Sequence, residues 1–413
     1  NADFADAVQK AGLIFIGPRA SSIKSMGSKT GARQVMQRAG VPVVPGLTES
    51  SNSVEEAQKA AKKIGFPVML KAAAGGGGRG MRKIDSLKDF ESAYESAQSE
   101  ARNSFGDDSV YIEKFLEQPR HIEVQVFADT HGNVISFPER ECSVQRRHQK
   151  VIEESPSCFV NPNMRERMGE VARQAAQAVN YIGAGTVEFL VDAHKNFYFM
   201  EMNTRLQVEH PITEMISGFD LVEMQIQIAQ GGLLTVKQDE LKANGWAIEA
   251  RVCAEDPDNN FLPTPGLIKH FKEPSGPYVR IDAAAYSGYQ IPTEYDSMIG
   301  KVIAWAPTRK QAIKRLDRAL SELIIKGCTT NISFLRQLLN FEEFLSGDYD
   351  TGLIGRFQAA QPKSMGDEHE TIALLGAALF AYAQDKQPAA QNKQSPDTAL
   401  SAWQLIGRNP CDL

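Results

Sequence analysis

Six polar side chains recur at alternating or near-alternating positions between Glu188 and Glu209: Glu188, Glu201, Asn203, Arg205, Gln207 and Glu209. They lie within TVEFLVDAHKNFYFMEMNTRLQVEH, residues 186–210. Apolar and polar residues alternate on both sides of a polar turn at 192–196, which predicts a β-hairpin. If Asp192 pairs with Phe197, antiparallel register sets Glu188 opposite Glu201. Facing carboxylates repel, and a hard divalent cation such as Mg²⁺ or Mn²⁺ would reverse the sign. Period-2 alternation carries the same face through Asn203, Arg205, Gln207 and Glu209 if the chain stays extended. A solvated outer face alternates in the same way but needs no opposed carboxylates. The spacing points to a metal–phosphate site beside an anion site.

A second chemical signal is the glycine run AGGGGRG at 74–80, between strands predicted at 66–72 and 81–84. Consecutive glycines let backbone N–H groups surround phosphate oxygens, and Lys71 and Arg79 bring positive charge. Gly75, Gly77 and Gly80 match GxGxxG formally, yet a strand rather than a helix follows. No Gly-Lys-Ser/Thr closes a P-loop. A mobile lid over a triphosphate accounts for the run better than a hairpin tip; a dinucleotide-binding oxidoreductase is the alternative of a different class. The polar run ERECSVQRRHQK, 139–150, reads as a solvated face around Arg146 and Arg147. His148 and Lys150, two apart, would share a face if extended and could bind an anion. Their spacing alone does not choose.

The chain that must position these residues has 413 residues, 42% of them hydrophobic, enough for two or three domains. A formal net charge of -6 argues against nucleic acid as the main partner. Cys142, Cys158, Cys253, Cys328 and Cys411 lie far apart, as expected of small core residues in a reducing compartment. The apolar run 372–383 is too short to span a bilayer and predicts a buried helix. Helices are predicted over 3–12, 28–40, 53–65, from 86, 161–178 and 211–230. Ser53 with Glu56, Asn161 with Pro162, and Thr308 with Gln311 supply N-caps. A strand is predicted at 13–16 with no sheet of its own to join. Trp246 to Cys253 is a strand with Glu249 and Arg251 on one face, and a helix with Ile313, Leu316, Leu320 and Leu323 inward follows Thr308. The texture changes near Asn244, and from 358 onward the composition reads as a linker.

The motifs KAAAGGGGRGM (71–81), ERECSVQRRHQKVIEESP (139–156), GAGTVEF (183–189), MEMNTRLQVEHPITEM (200–215), EARVCAEDP (249–257) and YDSMIGKVI (295–303) together resemble biotin carboxylase. The resemblance runs in order from residue 1 to about 357, and the region beyond is similar to the segment after this domain in acyl-CoA carboxylase α subunits. It implies an α+β ATP-grasp fold with a mobile glycine-rich lid, about 44–116, within a 29–244 domain. A biotin carboxylase C-terminal domain would occupy 245–357, a linker and the start of a following region 358–413, and 1–28 would be a remnant of a Rossmann-like domain.

By the same resemblance, Lys29, Lys71, His121, Gln145 and His148 would contact ATP phosphates or ribose. The backbone of Gly75, Gly76, Gly77 and Gly78 would cover the phosphates. Glu113, Lys114 and Leu116 would hold adenine, with Met81 and Leu190 also in the nucleotide site. Glu188, Glu201 and Asn203 would bind two Mg²⁺ or Mn²⁺ ions. Lys150, Arg205, Gln207, Val208 and Glu209 would hold bicarbonate, with Arg205, Glu209, Lys150 and Arg251 catalytic and Arg251 facing the ureido oxygen of biotin. The implied partners are a biotin carboxyl carrier domain and a carboxyltransferase, with self-association when intact, in the cytoplasm or mitochondrial matrix and with no membrane. The chain is expected to be truncated at both ends, lacking the HPGYGFLSE-like front segment and any Met-Lys-Met biotinylation site. The front part of pyruvate carboxylase and a carbamoyl-phosphate-type ligase are the nearest alternatives.

Overall fold

The computed structural model describes residues 1–47, 51, 53–72, 81–361, 372, 374–379 and 382. Its main compact unit is Asn1–Gln358. Among the described residues the largest sheet has nine antiparallel strands. In spatial order they begin Val279–Ala283, Met298–Ala306, Trp246–Cys253 and Gln149–Ser155, then continue Arg140–Arg146, Arg120–Ala128, Gly183–Val191 and Phe197–Asn203. The ninth, Val134–Ser136, pairs with Arg120–Ala128. This sheet runs without a break across Asn244, because Trp246–Cys253 pairs with Gln149–Ser155 on one side and Met298–Ala306 on the other.

Helix Pro162–Ala178 covers one part of the sheet and helix Arg309–Glu322 another, each through its apolar stripe. Ile313, Leu316, Leu320 and Leu323 all face inward, as their spacing predicts. Asn161 Oδ1 accepts a hydrogen bond from Met164 N at 2.9 Å, with proline at the next position. Asn161→Ala is expected to cost about 1 kcal/mol, read as a lower urea midpoint at unchanged slope.

A smaller sheet, Arg82–Ile84, Val68–Ala72 and Val110–Lys114, stands apart with its own core. Helices Val54–Ile64 and Phe90–Phe105 pack on it. The chain enters this lobe past Gly46, where a Cβ would fall 2.4 Å from the Ile112 carbonyl oxygen. Only glycine permits that approach.

Several expectations fail for stated reasons. Residues 13–16 form no strand, and Leu13, Ile14 and Ile16 are exposed; no sheet edge among the described residues receives them. The helix expected over 211–230 is two, His210–Ser217 and Leu221–Ala229, broken where Gly218 turns left-handed at φ 79°. Residues 372, 374–379 and 382 are helical, but Ile372, Leu374, Leu375 and Leu379 are exposed and belong to no buried cluster among the described residues. Of the cysteines only Cys142 is a core residue; Cys158 is exposed, Cys253 and Cys328 are half-buried, and Cys411 lies outside the described residues. Among the described residues no helix is long and apolar enough to cross a membrane.

Candidate active site

A cleft of about 700 Å³ lies between the small sheet and the large one. Each described residue to which the resemblance gives a site role, from Lys29 to Arg251, lines it; Gly75, Gly76, Gly77 and Gly78 lie outside the described residues. A cross-strand row leads into it from the buried sheet: Arg140 pairs with Glu123, Glu123 with Glu188, and Glu188 with Glu201, of which Glu188 and Glu201 line the cleft.

The predicted opposition of Glu188 and Glu201 is therefore present, but the turn does not produce it. Val191, not Asp192, pairs with Phe197, and a bulge at Met200 restores the register one residue later. Asp192 instead closes the turn, its carboxylate accepting from the N–H groups of His194 and Asn196. The strand ends at Asn203, so Arg205, Gln207 and Glu209 reach the cleft from an irregular segment rather than by alternation. Arg205 is exposed, and Gln207 and Glu209 are buried.

Lys150 is the hub. Its ammonium lies 2.5 Å from Glu123 Oε2, 3.0 Å from Glu188 Oε1 and 2.5 Å from Glu209 Oε1. Burial opposes that charge, but the surrounding carboxylates, Glu123 foremost, prevail and hold Lys150 well above its usual range. Burial likewise opposes ionisation of Glu123, yet Arg140 and Lys150 outweigh it and bring this carboxyl down to about 2. For Glu188, Lys150 and His121 overcome burial in the same direction. His121 Nε2 lies 3.1 Å from Glu188 Oε2 as an ion-pair contact without the alignment of a hydrogen bond.

Glu201 differs. No hydrogen bond or ion pair reaches its carboxylate among the described residues, and burial together with facing Glu188 raises its pKa. Asn203 Nδ2 donates to Glu188 Oε1 at 2.9 Å, leaving its carbonyl oxygen to a weak contact with Arg205 at 3.4 Å. Among the described residues the side chains that crowd most closely are His121, Glu123 and Glu188, and Glu123, Cys142 and Glu209; their three carboxylates gather around the Lys150 ammonium instead. The Glu201–Asn203 side is where a further cation would relieve repulsion.

Sequence reasoning missed several residues here. Arg140, fully buried, spends all five N–H donors: Nε on Glu123, Nη1 on Gln125 and Thr213, Nη2 on Thr186 and Gln207. The run 139–150 is thus no solvated face; Glu139, Arg140 and Glu141 are buried. Arg146 pairs with Glu255 and stacks on Phe261, so only Arg147 keeps the exposure expected of both. Arg147 and His148 form a two-residue hairpin turn with positive φ at both, which lifts them over the cleft. Asn-Gly would have announced such a turn; Arg-His gives no signal.

At the far end Glu209 Oε2 accepts from Arg251 Nη2 at 2.8 Å, and Glu153 Oε1 accepts from Arg251 Nε at 2.6 Å. Lys301, also missed, donates to the Val208 carbonyl. On the small-lobe wall Glu113 is held by Lys71 at 2.5 Å and by Arg33 at 2.6 Å. Burial and then Lys71 lower the pKa of Lys29 beside them. Lys114 Nζ donates to the Gly65 and Phe66 carbonyls, so its side chain ties the end of its strand to the turn after helix Val54–Ile64.

Two family matches divide the chain: the carbamoyl-phosphate synthase L chain, ATP binding domain over residues 28–237, and the biotin carboxylase C-terminal domain over 249–356. Biotin carboxylase of Nostoc sp. is 51% identical over 354 residues, 86% of this chain and 79% of its own. The chain belongs to the biotin carboxylase family. A methylcrotonoyl-CoA carboxylase subunit alpha, mitochondrial, of Dictyostelium discoideum is 44% identical over 409 residues, 98% of this chain and 58% of its own. The biotin carboxylase domain of the Hydrogenobacter thermophilus 2-oxoglutarate carboxylase, solved with MgADP, ADP and bicarbonate, superimposes with a TM-score of 0.85. It is 43% identical and is matched over 88% of this chain and 81% of its own. The fold is thus the ATP-grasp biotin carboxylase fold with its C-terminal domain, and the dinucleotide alternative for the glycine run falls away.

Proposed function

We propose that this chain uses ATP and bicarbonate to carboxylate biotin on a carrier domain, the first half-reaction of a biotin-dependent carboxylase. The observation that carries the reading is the contiguous network Glu188–Lys150–Glu209–Arg251, which joins the opposed carboxylates to the far end of one cleft. A phosphoryl donor and its acceptor must be held within reacting distance.

Bicarbonate is a poor electrophile because hydroxide leaves poorly; phosphorylated by ATP to carboxyphosphate, it can lose phosphate instead. Lys150, Arg205, Gln207 and the Val208 backbone hold the bicarbonate, and Lys29, Lys71, His121, Gln145 and His148 meet the phosphates and ribose. Glu209 takes the bicarbonate proton, and the phosphate released later takes that of the biotin ureido nitrogen. Arg251 faces the enolate oxygen that then develops. With the Glu113 carboxylate already engaged, adenine is left to the main chain of 113–116, beside Met81 and Leu190; the Leu116 N–H is unpartnered among the described residues.

Glu188, Glu201 and Asn203 fit a divalent-cation site, since Glu201 is otherwise unpartnered among the described residues, and Mg²⁺ or Mn²⁺ there would neutralise phosphate charge. Glu201→Ala is expected to raise the Mn²⁺ concentration for half-maximal ATP cleavage by at least about tenfold, measured by metal titration.

The acyl-CoA carboxylase reading of the whole rests on residues 358–413. The methylcrotonoyl-CoA carboxylase match covers 98% of the chain and so takes in most of them, whereas the Nostoc match covers 86% of the chain. A carrier domain and a carboxyltransferase are the partners that reading requires, in a reducing compartment such as the cytoplasm or mitochondrial matrix. The deciding experiment is phosphate release from ATP with and without bicarbonate and free biotin. Release that ignores both, or binding of NAD(P)H without ATP, rejects the proposal.

A further inference from the structure

Glu249 is fully buried, and neither of its carboxylate oxygens has a hydrogen-bond partner among the described residues. It sits on Trp246–Cys253 directly opposite Glu153 on Gln149–Ser155, a register that brings the two side chains within about 5 Å at Cβ. Glu153 is also fully buried. Its Oε1 takes both Nε and Nη2 of Arg251, while its Oε2 is unpartnered among the described residues. Three orphaned oxygens thus belong to two facing carboxyl groups immediately behind the arginine.

Two buried facing carboxylates cannot both remain charged without a cation between them, and a single shared proton turns the repulsion into a hydrogen bond. No nearby cation among the described residues pairs with Glu249. Arg251, on the same strand, is spent on Glu153 and Glu209. Lys301, from the strand on the other side, donates to the Val208 carbonyl and lies 3.5 Å from Asp282. The helix His210–Ser217 packs on this face through Ile212 and Ile216. Its charged groups turn away, His210 to the Gln207 carbonyl and Glu214 to Arg280. Helix Arg309–Glu322 lies on the opposite face, against Ile248, Ala250 and Val252. Burial raises the Glu153 carboxyl as well, but Arg251 opposes that shift and favours its anion; Glu249 has no such partner among the described residues, so the proton belongs on Glu249. Burial and then Glu153 push its carboxyl well above the usual range, in agreement.

We propose that Glu249 is a neutral carboxylic acid that donates a hydrogen bond to Glu153 Oε2 and so fixes the carboxylate that aims Arg251. It is a positioning residue for the biotin end of the cleft, and that consequence rests on the role given to Arg251 above. Ionisation of Glu249 at high pH would set two like charges face to face and loosen Arg251.

The test has two independent arms. The first is infrared difference spectroscopy of the full chain at neutral pH, wild type against Glu249→Gln. A protonated carboxylic-acid carbonyl band that disappears in the variant supports the proposal, and no such band overturns it. The second arm is biotin-dependent ATP cleavage. Glu249→Gln, an amide that can still donate to Glu153, should keep its KM for biotin within about threefold of wild type and lose the rise of that KM with pH. Glu249→Leu should raise it by about tenfold or more at unchanged KM for ATP. Equal impairment of the two variants, or an unchanged KM for biotin in Glu249→Leu, overturns the positioning role. An unchanged KM for ATP shows that each variant has folded. If the wild type shows no biotin-dependent cleavage, the functional reading fails, while the infrared band still decides the proton.

Discussion

Lys150→Met is expected to lower biotin-dependent ATP cleavage by about a thousandfold and to cost about 3–5 kcal/mol of stability. The substitution keeps most of the side-chain volume and removes the ammonium that Glu123, Glu188 and Glu209 share. Three carboxylates then face one another in a buried site. They must take up protons or admit water, and either outcome removes the anion-binding end of the cleft. Turnover and the urea midpoint read the two effects separately. A second variant distinguishes lost chemistry from lost structure: Lys150→Met with Glu209→Gln should recover part of the stability, because one repelling charge is gone, and none of the turnover. Wild-type turnover in Lys150→Met would sink the assignment.

Arg140→Leu is expected to be nearly as severe for stability, again about 3–5 kcal/mol, although this side chain lies beneath the cleft rather than in it. It leaves the Glu123 carboxylate with one cation instead of two and strips donors from Gln125, Thr186, Thr213 and Gln207. The pH dependence follows from Glu123 and Glu188, whose carboxyls both titrate below their ordinary values in the folded chain. Groups lowered by folding stabilise it above their unfolded pKa and lose that contribution as pH falls through the folded value. For Glu123, from 4.5 to about 2, the contribution is roughly 3 kcal/mol and is lost between those limits. Wild type should therefore lose stability steeply below about pH 4.5. In Arg140→Leu the acid transition should begin at higher pH, measured by thermal unfolding across an acid series. An unmoved acid transition would show that the Arg140–Glu123 pair contributes nothing.

Local structure was legible in the residues because it is made of local contacts. The Asn161 and Thr308 caps, the inward stripe of the helix after Thr308 and the strand Trp246–Cys253 all stand where their spacing places them. Capping and alternation depend on neighbours within about four residues, so a linear reading reaches them. The opposition of Glu188 and Glu201 shows the limit. The pairing of Asp192 with Phe197 that predicts it is off by one at the turn, and a bulge at Met200 that no residue type announces makes up the difference.

Only the tertiary structure decided which charges are buried together. Nothing in the sequence singles out Glu123, and Arg140 belongs to a run that reads as a solvated face. The sheet sets them side by side with Glu188, because cross-strand partners are chosen by pairing across long stretches of chain. Arg251 meets Glu209, 42 residues earlier, and Glu153, 98 residues earlier. Once buried, each charge is worth keeping only against a partner of opposite sign. The sequence by itself therefore determined the chemical types and the family, and the packing decided which carboxylate answers to which cation: Lys150 among three, Arg251 between two, and Glu201 left open.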